Sequence, residues 1–226
     1  MLYIYAITDS ATPPDCAGLD GAPLRTVGDE APFALVSEHE DLSRQMNEDD
    51  LWEHERVVEN LMQVATALPM RFDGSVEDEE SLRRILAERR DEFLALLEEV
   101  RGAVELGVRA LLPAVPATAA ATTVSEAGSG SGGTGTAYLL ARAERERAVA
   151  DLTARVHEPL ADVARRSAEG GSGLARTSFK AAYLVDRDRV DEFRARVEEL
   201  ESEIVDAQIV CTGPWPPYSF SSLERR

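Results

Sequence analysis

The chain has 226 residues, with 42 acidic and 24 basic side chains and a formal net charge of −18 at pH 7. A surface this acidic repels nucleic-acid phosphates and anionic lipids, so we expect neither nucleic acid nor a membrane as a partner. The hydrophobic content of 44% fits a globular protein of one or two domains. No uncharged run is both long enough and free of proline to span a bilayer.

The first half of the chain predicts three short strands followed by two amphipathic helices. The strands are β-branched or aromatic runs at residues 2–8, 25–27 and 33–37. After Asn47 the apolar residues recur at helical spacing, until the extended segment 68–72 interrupts them. A second helix follows, with Ser75 and Asp78 as a capping box, and ends at Gly102.

The second half predicts the order β-α-β-α-β. Strands are expected at residues 104–112, 179–185 and 204–211, and helices from Tyr138 onward and at 188–202. Pro159 should kink or divide the first of these helices. Residues 113–136 are rich in Ala, Thr, Ser and Gly and almost uncharged, which indicates a flexible loop.

These elements predict an α+β protein of two domains. The first domain comprises residues 1–102. The second comprises residues 103–226, carries the flexible loop 113–136 and ends in a Pro-rich and aromatic tail at 212–226. Two helices on one small sheet predict a ferredoxin-like second domain that is one strand short of the full β-α-β-β-α-β pattern.

Motifs that could carry chemistry are incomplete. His54-Glu55 begins a zinc-protease pattern but lacks the second histidine, so His54 is interpreted as a packed, hydrogen-bonded core residue. The glycines between 128 and 133 match a dinucleotide pattern without the strand or lysine that phosphate binding needs. We therefore predict no catalytic residue, no cofactor site and no metal site, and hence no enzyme.

The two cysteines, Cys16 and Cys211, and the absence of a basic signal-peptide start predict a cytoplasmic protein with reduced thiols. A disulfide between them is the less favoured alternative. Cys211 is expected to be buried and inert in its strand.

The tail and the interrupting segment are the candidate contact sites. Three prolines and three aromatic residues fall between Pro214 and Phe220, so the backbone is stiff and carries much apolar surface. Trp215, Tyr218 and Phe220 are expected either to clasp the domains or to form a surface on which a partner docks. Arg71, between the two helices, is either a buried organiser of carbonyl and carboxyl groups or a partner contact.

Four segments together resemble the gas vesicle protein F/L family (GvpF/GvpL). They are residues 2–7 (LYIYAI), 54–59 (HERVVE) leading to 68–72 (LPMRF), 182–193 (AYLVDRDRVDEF) and 212–220 (TGPWPPYSF). Their order and spacing extend over nearly the whole chain, and the last segment is the most specific. Asp73 departs from the family pattern, in which glycine usually follows the phenylalanine directly, so the turn into the second helix is expected to differ here.

The resemblance implies a two-domain α+β fold with a ferredoxin-like second domain. It also implies a non-enzymatic accessory protein of gas vesicles, the gas-filled protein shells that give cells buoyancy. Such a protein would help assembly in the cytoplasm and at the vesicle, in association with the major shell protein and other accessory proteins. The alternative is a ferredoxin-like regulatory module that binds a small metabolite beneath the loop 113–136.

Overall fold

A computed structural model describes residues 1–42, 47–113, 133–170 and 178–221. Within these residues the fold is mixed α and β with two antiparallel sheets, which confirms the predicted class. The chain divides into two compact units, Met1–Glu105 with Pro214–Arg226, and Leu106–Gly213. From Pro214 onward the tail thus groups with the first unit, whereas the sequence assigned all of residues 212–226 to the second. Most of the predicted loop 113–136, and the glycine motif up to residue 132, lie outside the described residues.

The first unit is built on a five-stranded sheet. Its strands are β1 (Leu2–Thr8), β2 (Leu24–Val27), β3 (Phe33–Glu38), β4 (Ala67–Pro69) and β5 (Ser75–Val76). The order is β2-β3-β1-β4, and β5 also pairs with β1. All of β1 is buried, as expected for a central strand without a charged residue. Tyr3 and Tyr5 lie two residues apart, so both side chains enter the same core.

The described part of the first unit contains three α-helices: α1 (Glu48–Val64), α2 (Glu79–Glu88) and α3 (Arg90–Val100). A capping box starts α1, because the Asn47 side chain accepts the Asp50 N–H at 3.2 Å while the Asp50 carboxylate accepts the Asn47 N–H at 2.8 Å. Val57, Val58 and Leu61 form the buried face of α1 and pack into the core that holds Tyr3 and Tyr5.

The helix predicted to end at Gly102 differs from the structure in two respects. It consists of α2 and α3, separated at Arg89, whose φ of −113° and ψ of 19° are not helical. Its N-cap is Asp78, which accepts the Ser81 N–H at 2.7 Å. The predicted capping box from Ser75 is wrong, because Ser75 is held in an extended conformation by pairing with β1.

The turn between β4 and β5 contains the residue that departs from the family pattern. Asp73 has a φ of 72°, in the left-handed region, and the Gly74 N–H donates to the Arg71 carbonyl at 3.1 Å. Aspartate is one of the few non-glycine residues that tolerate this conformation. The turn therefore depends on the residue type at position 73.

Replacing Asp73 with valine is expected to lower the free energy of unfolding by about 1–2 kcal/mol, because a β-branched residue is strained at positive φ. Asp73→Gly is the matched control and should change stability by less than about 1 kcal/mol, because glycine adopts this conformation freely. Urea unfolding of the three proteins measures the difference. A valine variant as stable as the parent would contradict the left-handed conformation.

The second unit contains the second sheet and, within its described residues, two α-helices. Its elements are β6 (Ala103–Leu111), which begins at the end of the first unit, α4 (Gly133–Ala161), β7 (Arg166–Glu169), β8 (Ser178–Asp186), α5 (Val190–Glu203) and β9 (Gln208–Trp215), whose last two residues group with the first unit. The strand order is β7-β8-β6-β9. Leu152, Val156 and Leu160 of α4 pack into one core with Phe193 and Val197 of α5.

Three details of this unit differ from the sequence prediction. The strand β7 was not predicted, because its residues Arg-Ser-Ala-Glu lack β-branched and aromatic side chains. Helix α4 includes residues 133–136, which were assigned to the loop. Pro159 lies inside α4, so of the two expected effects, a kink or a division, the division does not occur. Pro159 removes one N–H donor of α4, but it lies two residues from the end of the helix, so little of the helix follows the interruption.

The last strand lies further along the chain than predicted. It covers Gln208–Trp215 instead of residues 204–211, because Ile204 caps α5 through its N–H bond to Leu200. Pro214 is compatible with this strand, since β9 is the edge strand of its sheet and an edge tolerates a missing N–H donor. The stiff segment that begins at Pro214 is thus partly strand.

Candidate functional site

The tail of the first unit is anchored at several points. Pro216, Pro217 and Phe220 are buried, and Phe220 is only 2% exposed. A 3-10 turn spans Tyr218–Phe220, and the N–H and hydroxyl of Ser219 both donate to the Glu105 carboxylate at 2.8 Å. Two hydrogen bonds to one carboxylate fix both the position and the orientation of Ser219, so this pair holds the tail in place.

His54 connects the tail to the first strand. Its Nδ1 lies 2.8 Å from the Tyr3 hydroxyl and its Nε2 lies 3.1 Å from the Tyr218 hydroxyl. A neutral imidazole accepts at one nitrogen and donates from the other. The Tyr218 hydroxyl donates its own proton to the Glu55 carboxylate, so Nδ1 is the accepting nitrogen and takes the proton of the Tyr3 hydroxyl. Nε2 then donates to Tyr218.

The surroundings of His54 keep it neutral. The side chain is fully buried, stacks on Tyr5 with ring centroids 5.6 Å apart, and meets the edge of Phe72 at 5.9 Å. Burial lowers the pKa of His54 to about 4, and the influence of the Met70 backbone only partly offsets that effect. The interpretation of His54 as a hydrogen-bonded core histidine is confirmed. Among the described residues, no group of three or more His, Cys, Asp and Glu side chains is arranged to hold a metal ion.

A groove lies beside this anchor, between α1 and the tail. Its volume is about 410 Å³. Its lining residues, all in the first unit, are Leu51, Trp52, Glu55, Arg56, Glu59, Trp215 and Tyr218. Trp52 is 60% exposed and Trp215 is 46% exposed, and these are the two tryptophans of the chain. The two tryptophan side chains, the largest in the sequence, are therefore both exposed to solvent at the same groove. We call it the tryptophan groove.

The polar lining of the tryptophan groove is acidic. Burial raises the pKa of Glu55, and the neighbouring Glu59 adds to the rise, while a hydrogen bond to Tyr218 opposes it. No Arg, Lys or His among the described residues forms an ion pair with Glu55 or Glu59. The Arg56 guanidinium donates instead to the Ala17 carbonyl at 3.2 Å. Glu55 is thus a partly desolvated carboxylate without a described cation.

The structure separates the four predicted contact residues. Trp215 and Tyr218 line the tryptophan groove, Phe220 is buried, and Arg71 is exposed in the β4–β5 turn and does not line the groove. The residues that sequence analysis missed are Trp52, Glu55 and Glu59. Their spacing on a helix places them on one stripe, which is the signal that could have grouped them with an exposed tryptophan.

A second cavity of about 170 Å³ lies between the loop at residues 28–32 and α2–α3. It contains Arg83 and Arg90, but Arg83 pairs with Asp29 at 2.7 Å and Arg90 pairs with Glu30 at 3.3 Å. Because carboxylates of the same cavity neutralise both guanidinium groups, it offers no excess positive charge to an anionic ligand.

Cys16 and Cys211 are both free thiols, and burial raises the pKa of each.

The comparison with protein families identifies the fold and its relatives. A family model described as gas vesicle synthesis protein GvpL/GvpF matches residues 1–222. The chain is 31% identical to gas vesicle protein F of a Streptomyces species, over 96% of this chain and 98% of that protein. It is 27% identical to gas vesicle protein F1 of Halobacterium salinarum, over 98% of this chain and 93% of that protein.

Two solved structures share the fold. The crystal structure of gas vesicle protein GvpF from Anabaena sp. has a TM-score of 0.84 and 18% identity, over 99% of both chains. That of GvpF from Microcystis aeruginosa has a TM-score of 0.76 and 20% identity, over 98% of this chain and 99% of that one. In the described part of this chain, none of the helices combines the length and the apolar character needed to cross a bilayer.

Proposed function

Because this chain belongs to the GvpL/GvpF family of gas vesicle synthesis proteins, we propose that it is a non-enzymatic accessory protein that binds the major shell protein and other accessory proteins during assembly. A role in gas vesicle formation follows from the family itself. We further propose that the protein acts in the cytoplasm and at the gas vesicle.

The observation that carries the proposal is the exposure of both tryptophans at the tryptophan groove. Tryptophan is enriched among the residues that dominate binding energy at protein interfaces. A shell subunit with a strongly apolar gas-facing side must be kept from aggregating before incorporation. An acidic protein with a net charge of −18 would keep such a complex dispersed while the groove holds its partner.

The buried titratable groups support a structural role. His54 has no exposed surface, and its two nitrogens are occupied by Tyr3 and Tyr218. A general base must reach the proton that it removes, and a buried imidazole between two phenols does not. Its position supports the interpretation that the network orients the tail.

Within this proposal Trp215 makes the partner contact, while Tyr218 and Phe220 hold the tail that presents it. Arg71, exposed outside the tryptophan groove, is proposed as a peripheral contact. For the second unit we propose a ferredoxin-like domain, supported by the order β-α-β-β-α-β and the strand order β7-β8-β6-β9.

The proposal predicts that Trp215→Ala reduces co-purification of the major shell protein at least about tenfold, since truncating a hot-spot tryptophan costs about 2 kcal/mol or more. The variant is tagged, co-expressed with the vesicle proteins and compared with the parent by quantitative pull-down. Val205→Ala, at an 89% exposed residue of the second unit, is the matched control. If the parent captures no vesicle protein, the proposed function is wrong.

A further inference from the structure

The composition of the tryptophan groove indicates the chemistry of what it binds. This inference rests on the proposed function and adds the partner's chemical character. Along α1 the exposed Trp52, the half-buried Glu55 and the exposed Glu59 follow one another at spacings of three and four, so they share one face of the helix. The groove thus has an aromatic end, completed by Trp215, and an acidic end.

We propose that the tryptophan groove binds an amphipathic helical segment of a vesicle protein, with a large apolar side chain between Trp52 and Trp215 and a lysine or arginine against Glu55 and Glu59. The groove volume of about 410 Å³ accommodates one or two large side chains. The two carboxylates lie one helical turn apart, which matches basic residues spaced by four on a partner helix.

The charges of the site favour a basic partner over a neutral or acidic one. Glu55 is half-buried, is repelled by Glu59, and has no described ion-pair partner. A cation that binds beside it therefore offsets the free-energy cost of keeping this carboxylate charged. The same cation can lie over an indole ring, where the ring quadrupole attracts it. The net charge of −18 further speeds the approach of basic segments at low salt.

The tryptophans provide a direct readout. Since Trp52 and Trp215 are the only tryptophans and both line the groove, intrinsic fluorescence reports its occupancy. The probe is a synthetic helical peptide of leucine and lysine at heptad spacing, titrated into the full-length protein at low salt. A peptide with glutamate in place of lysine, and one with serine in place of leucine, are the controls.

We expect a blue shift and saturable binding with the leucine–lysine peptide, and at least about tenfold weaker binding to both controls. Trp52→Ala should weaken binding about tenfold, and Glu55→Gln with Glu59→Gln about fivefold. Glu198→Gln with Glu201→Gln removes the same charge from an exposed face of the second unit and should leave affinity within about twofold. Binding to the variants is measured by anisotropy of a labelled peptide.

Equal binding of the leucine–glutamate peptide would overturn the inference, as would equal weakening by the Glu198 and Glu201 substitutions, which would indicate attraction by net charge alone. Self-association of the protein that Trp52→Ala abolishes would identify a second copy as the occupant and would also overturn it. These outcomes leave the proposed function standing if pull-down of the shell protein succeeds. Failure of that pull-down rejects the proposed function whatever the peptides do.

Discussion

Replacing His54 with alanine is expected to lower the free energy of unfolding of the first unit by about 3–4 kcal/mol. The change removes a fully buried side chain and leaves a cavity among Tyr3, Tyr5 and Phe72. It also removes the partner of the Tyr3 hydroxyl proton and one partner of Tyr218. An unpaired buried hydroxyl adds its own desolvation cost to that of the cavity.

The measurement is urea unfolding followed by tryptophan fluorescence. Trp52 and Trp215 both belong to the first unit, so fluorescence follows that unit alone, while far-UV circular dichroism follows the whole chain. Glu59→Ala, on an exposed part of the same helix, is the control and should change stability by less than about 0.5 kcal/mol. A loss below about 1 kcal/mol for His54→Ala would show that the histidine does not anchor the tail.

Acidification should destabilise the first unit through the same residue. In the unfolded chain His54 takes up a proton near pH 6.5, but burial holds its pKa in the folded state at about 4. The unfolded state therefore binds more protons between these values, and stability falls as the pH falls. The gap corresponds to a loss of about 3 kcal/mol at roughly 1.4 kcal/mol per pH unit, and this contribution stops changing below about pH 4.

The test compares the pH dependence of urea unfolding in the parent and in His54→Gln, which has no titrating group at this position. The difference between the two curves should shrink by about 3 kcal/mol from pH 7 to pH 4. Carboxylates with lowered pKa, such as Asp9, also lose stabilisation in acid, but they do so in both proteins and cancel. Dilute protein is needed, because the isoelectric point of about 4.6 lies within this range. Parallel curves would contradict the depressed pKa of His54.

The two experiments bear on function because the network around His54 holds the tail that presents Trp215. Tyr218 lines the tryptophan groove and also contacts His54 inside the core. A loosened tail should therefore reduce partner binding even when Trp52 and Trp215 are unchanged. Comparing pull-down by His54→Gln and by Trp215→Ala separates loss of tail position from loss of the contact itself.

Local sequence patterns predicted most of the elements. Strand β1 is a run of apolar and aromatic residues, and the stripe of Leu51, Val58 and Leu61 has the period of a helix. Where local signals were weak or ambiguous the prediction failed. The polar strand β7 forms because it pairs with β8, and Ile204 looked like strand but caps α5. The pairing of β7 depends on another strand, whose effect no local window contains. Ile204 instead donates its N–H to the Leu200 carbonyl within the same helix end, and its apolar side chain alone did not distinguish a helix cap from a strand.

By itself, the sequence determined the class of fold and the acidic surface, because hydrophobic period is a local property and composition does not depend on the fold. The family was indicated by the resemblance of four segments to GvpF/GvpL, not by composition or period. It also identified Pro214–Phe220 as a stiff aromatic segment. Only the tertiary structure decided that Pro216, Pro217 and Phe220 bury while Trp215 stays exposed beside Trp52. That division arises because the tail lies against α1, more than 150 residues earlier in the chain, as the contact from His54 to Tyr218 shows. Which aromatic side chains are buried is settled by that distant packing surface.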